Sequence, residues 1–251
     1  MEIGCAATEQ EFLIAELWEN GSVGIAEVGP GLVRAFFEED AGRERMQSLY
    51  PGSTLREEEQ RDWVESAREL LQPMAVGRRF YLVPQWRDDP APEDRFRITV
   101  NPGMAFGTGV HETTQLCIEA LEDFVRPGIT VLDVGTGSGI LATVARLLGA
   151  GKTIACDNDP IAIEVAQQGF VGSVDAVASA SCDLVVANIS PEAIVALSTD
   201  LLRVLRPGGV LLASGFENQE VETVKAALPG SPEIRQKRNW SLAVLLLPAA
   251  G

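Results

Sequence analysis

From about residue 130 onward, short apolar runs alternate with amphipathic stretches. "TVLDVG", "TIACD", "DLVVAN", "GVLLAS" and "WSLAVLLLP" are apolar and rich in β-branched and leucine side chains. Runs of this kind, closed by Gly, Asp, Asn or Ser, predict strands buried on both faces. Between them lie "GILATVARLLGAG", "PIAIEVAQQG", "PEAIVALSTDLLRVLRPGG" and "NQEVETVKAAL". These space their apolar residues at helical period and carry glycine stop signals. Strand and helix in alternation predict an α/β fold, a parallel sheet with helices on both faces, beginning at Phe96. Ligands of such sheets bind beyond the carboxyl ends of the strands.

The first half has a different rhythm. "TEQEFLIAELWENG" places Phe12, Leu13, Ala15, Leu17 and Trp18 along one helix, which Gly21 ends. "SVGIAEVGPGLVRAFFEED" predicts two strands around a Gly29-Pro30-Gly31 turn. "AGRERMQSL" predicts a helix stopped by Pro51-Gly52. A small α+β domain is therefore expected over residues 1–60. A second helical pattern from about Arg56 to Leu71 presents Trp63, Val64, Ala67, Leu70 and Leu71 on one face. It is followed by a strand, "RRFYLVPQW", and a proline-broken acidic turn, "RDDPAPED". Residues 61–95 are expected to be a linker helix and strand, and 96–251 the second domain.

Composition narrows the function classes. The formal net charge is −16, which argues against a protein that grips nucleic-acid phosphates. The densest basic cluster, "RQKR" at Arg235–Arg238, is expected to be a solvated strand edge or turn. An acidic surface suits solubility or a basic partner. Four cysteines without C-x-x-C spacing and a single histidine leave no structural metal site in view. They fit reduced thiols in a cytoplasmic protein. The N-terminus has neither the basic nor the apolar region of a signal peptide. The apolar tail "LAVLLLPAA" is too short to span a bilayer, so no membrane partner is expected.

The strand-end loops carry the candidate chemistry. The first strand runs into Gly135-Thr136-Gly137-Ser138-Gly139, where glycines let the backbone turn tightly and approach a ligand. Its spacing is G-x-G-x-G. Ile140 stands where a dinucleotide fingerprint wants its third glycine, which counts against NAD and FAD. The second strand ends at Asp157, about twenty residues past the glycines, where a carboxylate accepts both hydroxyls of a ribose. Asp159 and Ser190 precede prolines and read as helix caps. Asn188, at the end of an apolar run, offers one acceptor and two donors to the crevice, or else stabilises a turn. A second glycine-rich stretch, "NPGMAFGTGVHETT" at Asn101–Thr114, holds the histidine, His111.

Together these segments resemble a Rossmann-like methyltransferase that uses S-adenosylmethionine (AdoMet). "VLDVGTGSG", "ACDNDP", "DLVVANI" and "LRPGGVLLASGF" match its successive motifs. "NPGMAFGTGVHETT" is similar to the signature of the ribosomal protein L11 methyltransferases, a pattern close to DPGxAFGTGxHxTT. The resemblance spans most of the chain and is loosest before Asp62. It implies a Rossmann-like sheet, a small ferredoxin-like N-terminal domain that holds the protein substrate, and methylation of lysine and α-amino groups of ribosomal protein L11. It further implies that Thr114, Gly135, Gly137, Asp157 and Asn188 contact AdoMet, that Asn188 also meets the incoming amine, and that the enzyme works as a monomer.

The chain departs from the family pattern at Asn101, which replaces an Asp, and at Ser190-Pro191, which replace a more apolar pair. Its segment 169–182 is short where the family has a fuller third strand beside the adenine. His111 is a candidate general base, or a brace within its own loop. Methylation of another protein lysine or a small amine, and a non-catalytic AdoMet-binding protein, stay open as alternatives.

Overall fold

The structure is a computed structural model that describes residues 1–6, 10, 13, 17, 22, 24–29, 31–37, 48–54, 72–101 and 111–249. The helix expected over 56–71 and most of the glycine-rich stretch 101–114 lie outside the described residues. The chain divides into two compact units, Met1–Trp63 and Val64–Gly251.

In the first unit β1 (Glu2–Gly4), β2 (Gly24–Gly29) and β3 (Leu32–Phe36) form an antiparallel sheet of order β1-β3-β2. Gln10, Leu13 and Leu17 are helical positions three and four residues apart, hence on one face. Leu13 and Leu17 are buried with Ile3, Val33 and Ala35, the two β3 residues that alternate inward. Buried Gln10 accepts the Gly31 N–H at 2.7 Å and so ties the β2–β3 turn to the helical positions. Thr54 bridges to Glu2 on the free edge of β1. Thr54 thus extends the β1 edge of this three-stranded sheet by one antiparallel bridge.

The second unit opens with β4 (Met74–Val76), β5 (Phe80–Pro84) and β6 (Phe96–Val100), a sheet of order β4-β5-β6. There follow α1 (Glu112–Phe124), β7 (Thr130–Val134), α2 (Ile140–Leu147), β8 (Lys152–Asp157), α3 (Pro160–Ala166), β9 (Phe170–Val171), β10 (Cys182–Asn188), α4 (Pro191–Arg203), β11 (Leu205–Glu217), α5 (Val221–Ala227), β12 (Glu233–Lys237) and β13 (Trp240–Leu246). The strands make one sheet of order β12-β13-β11-β10-β7-β8-β9. Its run from β11 to β9 is parallel, as the alternation predicts. The sheet is not wholly parallel, because β13 runs against both β11 and β12. A two-residue turn, Arg238-Asn239, joins β12 to β13, and so short a connection joins only antiparallel strands.

Period-two alternation sends each strand's side chains to opposite cores. Val131, Leu184, Val186 and Leu212 pack towards α1 and α2, together with Phe80 and Ile98 of the small sheet. Leu132, Val185, Ala187 and Leu211 pack with Ile194 and Leu201 of α4 and Val224 of α5. Asp133, Asn188 and Ser214 continue the first set by this parity, which places all three on the α1 side.

Two sets of polar contacts fix α1. The Glu122 carboxylate accepts the Arg78 N–H (2.8 and 2.9 Å) and the Arg79 N–H (2.7 Å). Gly77 makes this possible, since a Cβ there would lie 2.7 Å from Glu122 Oε2. Glu112, Glu119 and Asp123 share another face of α1 and pair with Arg238 (2.9 Å), Lys237 (2.7 Å) and Arg235 (2.7 Å). "RQKR" is thus strand β12 and the start of its turn, and its cations are neutralised by α1 rather than simply solvated. Arg78 and then Arg235 hold the Asp123 carboxyl below the usual carboxylate range.

Candidate active site

The carboxyl ends of the parallel strands β7, β8, β10 and β11 lie along one edge of the sheet, and β10 meets the start of α1 there through Asn188 and Thr114. The β7–α2 loop forms the floor there. The Gly135 and Thr136 N–H groups donate to the Cys156 carbonyl at 2.9 and 3.1 Å, fastening the loop to β8. Gly135 has φ +69°, and a Cβ there would lie 2.4 Å from Ile189 Cγ2, so any side chain would be strained and would displace Ile189. The Gly137 N–H donates to Asp157 Oδ2 at 2.9 Å, and the Asp159 N–H donates to Asp157 Oδ1 at 3.0 Å. The structure thus brings Gly137 and Asp157 together at the rim. Gly139 begins α2 with no side-chain cap, leaving backbone donors at the helix start.

Beneath this loop sits a residue that the motif reading did not single out. Asp133 is fully buried. Its Oδ2 accepts the Thr136 hydroxyl at 2.7 Å and the Ala142 N–H at 3.0 Å, pinning both ends of the loop. Its Oδ1 is buried without a hydrogen-bond partner among the described residues. This carboxyl is raised to about 6, chiefly by burial, with the Thr136 and Ala142 donors offsetting part of the rise and the charge of Asp157 adding to it. The signal was present in "TVLDVG", where one acid interrupts an apolar strand just before the glycines.

The opposite wall joins two residues far apart in sequence. The Asn188 amide donates to the Thr114 hydroxyl at 3.3 Å. Thr114 is fully buried on α1, while Asn188 ends β10. Asn188 Oδ1 is buried without a partner among the described residues. His111 caps α1: its Nδ1 accepts the Thr113 N–H at 3.4 Å and lies 2.8 Å from the Thr113 hydroxyl. Its ring stands edge-on to Trp240, with centroids 4.6 Å apart. These contacts support the bracing role.

Asp159 and Ser190 cap α3 and α4 through the Ile161 and Ala193 N–H groups, each ahead of a proline. The short 169–182 segment keeps a third strand of two residues, β9, paired with Cys156 and Asp157. Beyond it, Arg203 of α4 holds the chain by donating to the carbonyls of Val174 (3.2 Å), Asp175 (3.3 Å) and Val177 (2.8 Å) and to the Ser179 hydroxyl (3.1 Å). Val171, paired with Asp157 across β8 and β9, and Ile161, four residues after Asp157 in the chain, are exposed apolar residues. An apolar edge beside a carboxylate fits a nucleoside, with its base against the apolar side chains and its ribose at the acid. The tight Gly135 turn and the orphan Asn188 oxygen further along fit an amino-acid end approaching closely. The donor set therefore accommodates AdoMet.

The family model described as ribosomal protein L11 methyltransferase (PrmA) matches residues 39–241. A ribosomal protein L11 methyltransferase of Heliobacterium modesticaldum is 35% identical over 247 residues, covering 86% of this chain and 78% of that protein. One of Pelotomaculum thermopropionicum is 43% identical over 196 residues, covering 72% of this chain and 64% of that protein. The crystal structure of a ribosomal protein L11 methylase from Lactobacillus delbrueckii subsp. bulgaricus superposes with a TM-score of 0.65 at 30% identity, covering 70% of this chain and all of that one. This chain belongs to the ribosomal protein L11 methyltransferase family.

Proposed function

We propose that this chain transfers methyl groups from AdoMet to lysine and α-amino groups of ribosomal protein L11. The observation that carries the reading is the Asn188–Thr114 hydrogen bond across the crevice from the Gly137–Asp157 pair. One pair suits the methionine end of the cofactor and the incoming amine. The other suits the ribose. Thr114, Gly135, Gly137, Asp157 and Asn188 hold AdoMet, which supplies an electrophilic sulfonium methyl.

What the chain contributes is positioning. A lysine ammonium is no nucleophile and must first lose its proton. Desolvation in a closed crevice lowers the amine's pKa, and water carries the proton out. Asn188 Oδ1, which has no partner among the described residues, accepts an amine N–H and aims the lone pair. His111 acts through the helix start rather than as a base, since its Nδ1 is engaged with Thr113. Orientation of two reactants is by itself a large source of rate.

The N-terminal unit, residues 1–60 with the linker that follows, holds the protein substrate. The net charge of −16 favours a basic partner and disfavours direct nucleic-acid contact. A single chain suffices for the chemistry. We place the reaction in the cytoplasm, where a ribosomal protein is met. Among the described residues no helix is long and apolar enough to cross a membrane.

Asn188→Ala tests the reading. With purified L11 and labelled AdoMet, turnover should fall more than about tenfold, because an orienting group is lost. AdoMet binding, followed by calorimetry, should stay measurable. Turnover near the wild-type rate would remove Asn188 from the reaction. Label appearing in another protein of a cell extract, and not in L11, would replace the substrate.

A further inference from the structure

We infer that Ile189 is a positioning residue, a wedge between Gly135 and Gly215 that sets Asn188 against the cofactor loop; this rests on the methyl-transfer reading above. Ile189 follows Asn188 directly, and its side chain and backbone are held by different neighbours. Its Cγ2 methyl stands 2.4 Å from the place where a Cβ on Gly135 would be. Its carbonyl oxygen stands 2.1 Å from the corresponding place on Gly215. Its N–H donates to the Ser214 carbonyl at 3.0 Å. Both glycines have positive φ, +69° and +104°.

Gly215 lies where the pairing of β11 with β13 slips, between Ser214 and Phe216. Such a bulge bends a strand and re-aims its neighbours. Here it opens a place for the Ile189 backbone. Ser214 stays paired with Asn188 in the β10–β11 ladder, and its hydroxyl donates to the Ser241 carbonyl at 2.8 Å. The strand end is thus anchored through Ser214 while Ile189 passes over Gly215. On the other side, Gly135 is already fastened to Cys156. The Ile189 methyl against Gly135 therefore fixes the separation between the cofactor floor and the Asn188 amide. Neither neighbour leaves room for the wedge to shift towards it.

The branch at Cβ gives a discriminating test. Valine keeps a methyl at the γ position and loses volume; leucine keeps the volume and moves the branch one carbon out. Full-length wild type, Ile189→Val, Ile189→Leu and Gly215→Ala are titrated with AdoMet by calorimetry, assayed with L11, and melted without cofactor. Ile189→Leu should weaken AdoMet binding and lower kcat by about tenfold or more, and Ile189→Val should restore most of both. Gly215→Ala should lower kcat about a hundredfold, the scale of a displacement near 1 Å, with a smaller change in AdoMet affinity. Simple space-filling gives the reverse order, so leucine matching or exceeding valine overturns the wedge. Gly215→Ala turning over at the wild-type rate also overturns it. If Gly215→Ala does not fold, the valine and leucine pair decides alone. A wild type that binds no AdoMet overturns the functional reading and the wedge with it, whereas a binding wild type with leucine equal to valine overturns the wedge alone.

Discussion

Asp133 stands next to last in its strand, fully buried beneath the glycine loop, while Asp157 ends the neighbouring strand at the loop's rim, partly open to solvent. Both carboxylates accept hydrogen bonds from the same loop region. Asp133 takes the Thr136 hydroxyl and the Ala142 N–H on one oxygen and leaves the other without a partner among the described residues. Asp157 divides its bonds, with Gly137 on one oxygen and Asp159 on the other. The pair teaches that one residue type near neighbouring strand ends can do opposite work. The buried acid shapes the loop at an electrostatic cost; the rim acid keeps lone pairs available to a ligand.

The largest effect should come from removing the buried charge. The Asp133 carboxyl lies at about 6, above its ordinary 3.8. The folded state therefore holds this proton more tightly than the unfolded chain does. This contribution is fully present only well below pH 3.8 and falls as pH rises through 3.8 to about 6, levelling off above. A shift of this size corresponds to about 3 kcal/mol. Asp133→Asn keeps the shape and the acceptor oxygen but cannot ionise. Urea unfolding of both proteins at pH 4.5 and 7.5 should show the wild type losing about 2 kcal/mol relative to the variant across that window, the first part of the loss having occurred below pH 4.5. Parallel stability curves would mean that Asp133 is not the strained member of the pair.

Asp157→Ala should act on the ligand instead. Hydrogen bonds to a charged group contribute about 1.5–3 kcal/mol, which translates to AdoMet affinity weaker by roughly ten- to a hundredfold. Water can replace the lost carboxylate at Gly137 and Asp159, so the melting temperature without cofactor should move little. Calorimetry and a thermal scan check both halves. Unchanged affinity would refute the ribose assignment and erase the contrast with Asp133.

Much of this arrangement is legible in the sequence, and the gaps have physical causes. The buried parallel strands, their helices and the caps at Asp159 and Ser190 follow from local pattern, since each depends on residues a few positions apart. Asp157, Gly135 and Asn188 stand out because they punctuate apolar runs. Asp133 interrupts an apolar run too, but its role depends on α2 folding over it, which is a tertiary event. The Asn188–Thr114 bond spans elements 74 residues apart, and no local spacing announces it. Antiparallel β13 hides for a similar reason: a buried strand reads alike in either direction, and the clue lies in the shortness of the turn before it.

The basic cluster Arg235–Arg238 is the sharpest case of context overriding composition, and it yields the smallest predicted effect. Its cations look available on paper, yet Glu112, Glu119 and Asp123 of α1 meet them at helical spacing. Arg238 is largely exposed, so its pair with Glu112 is screened and worth no more than about 1 kcal/mol. Arg238→Ala should therefore lower the melting temperature by only a few degrees at low salt, and by less as salt rises. If the pair helps brace the start of α1, AdoMet affinity should weaken slightly in parallel, because Glu112 lies next to His111 and two residues before Thr114. A large, salt-independent loss would show that Arg238 acts through more than its partner carboxylate. It would also move this exposed charge out of the class of Asp157 and into that of Asp133, where a buried framework sets the energy.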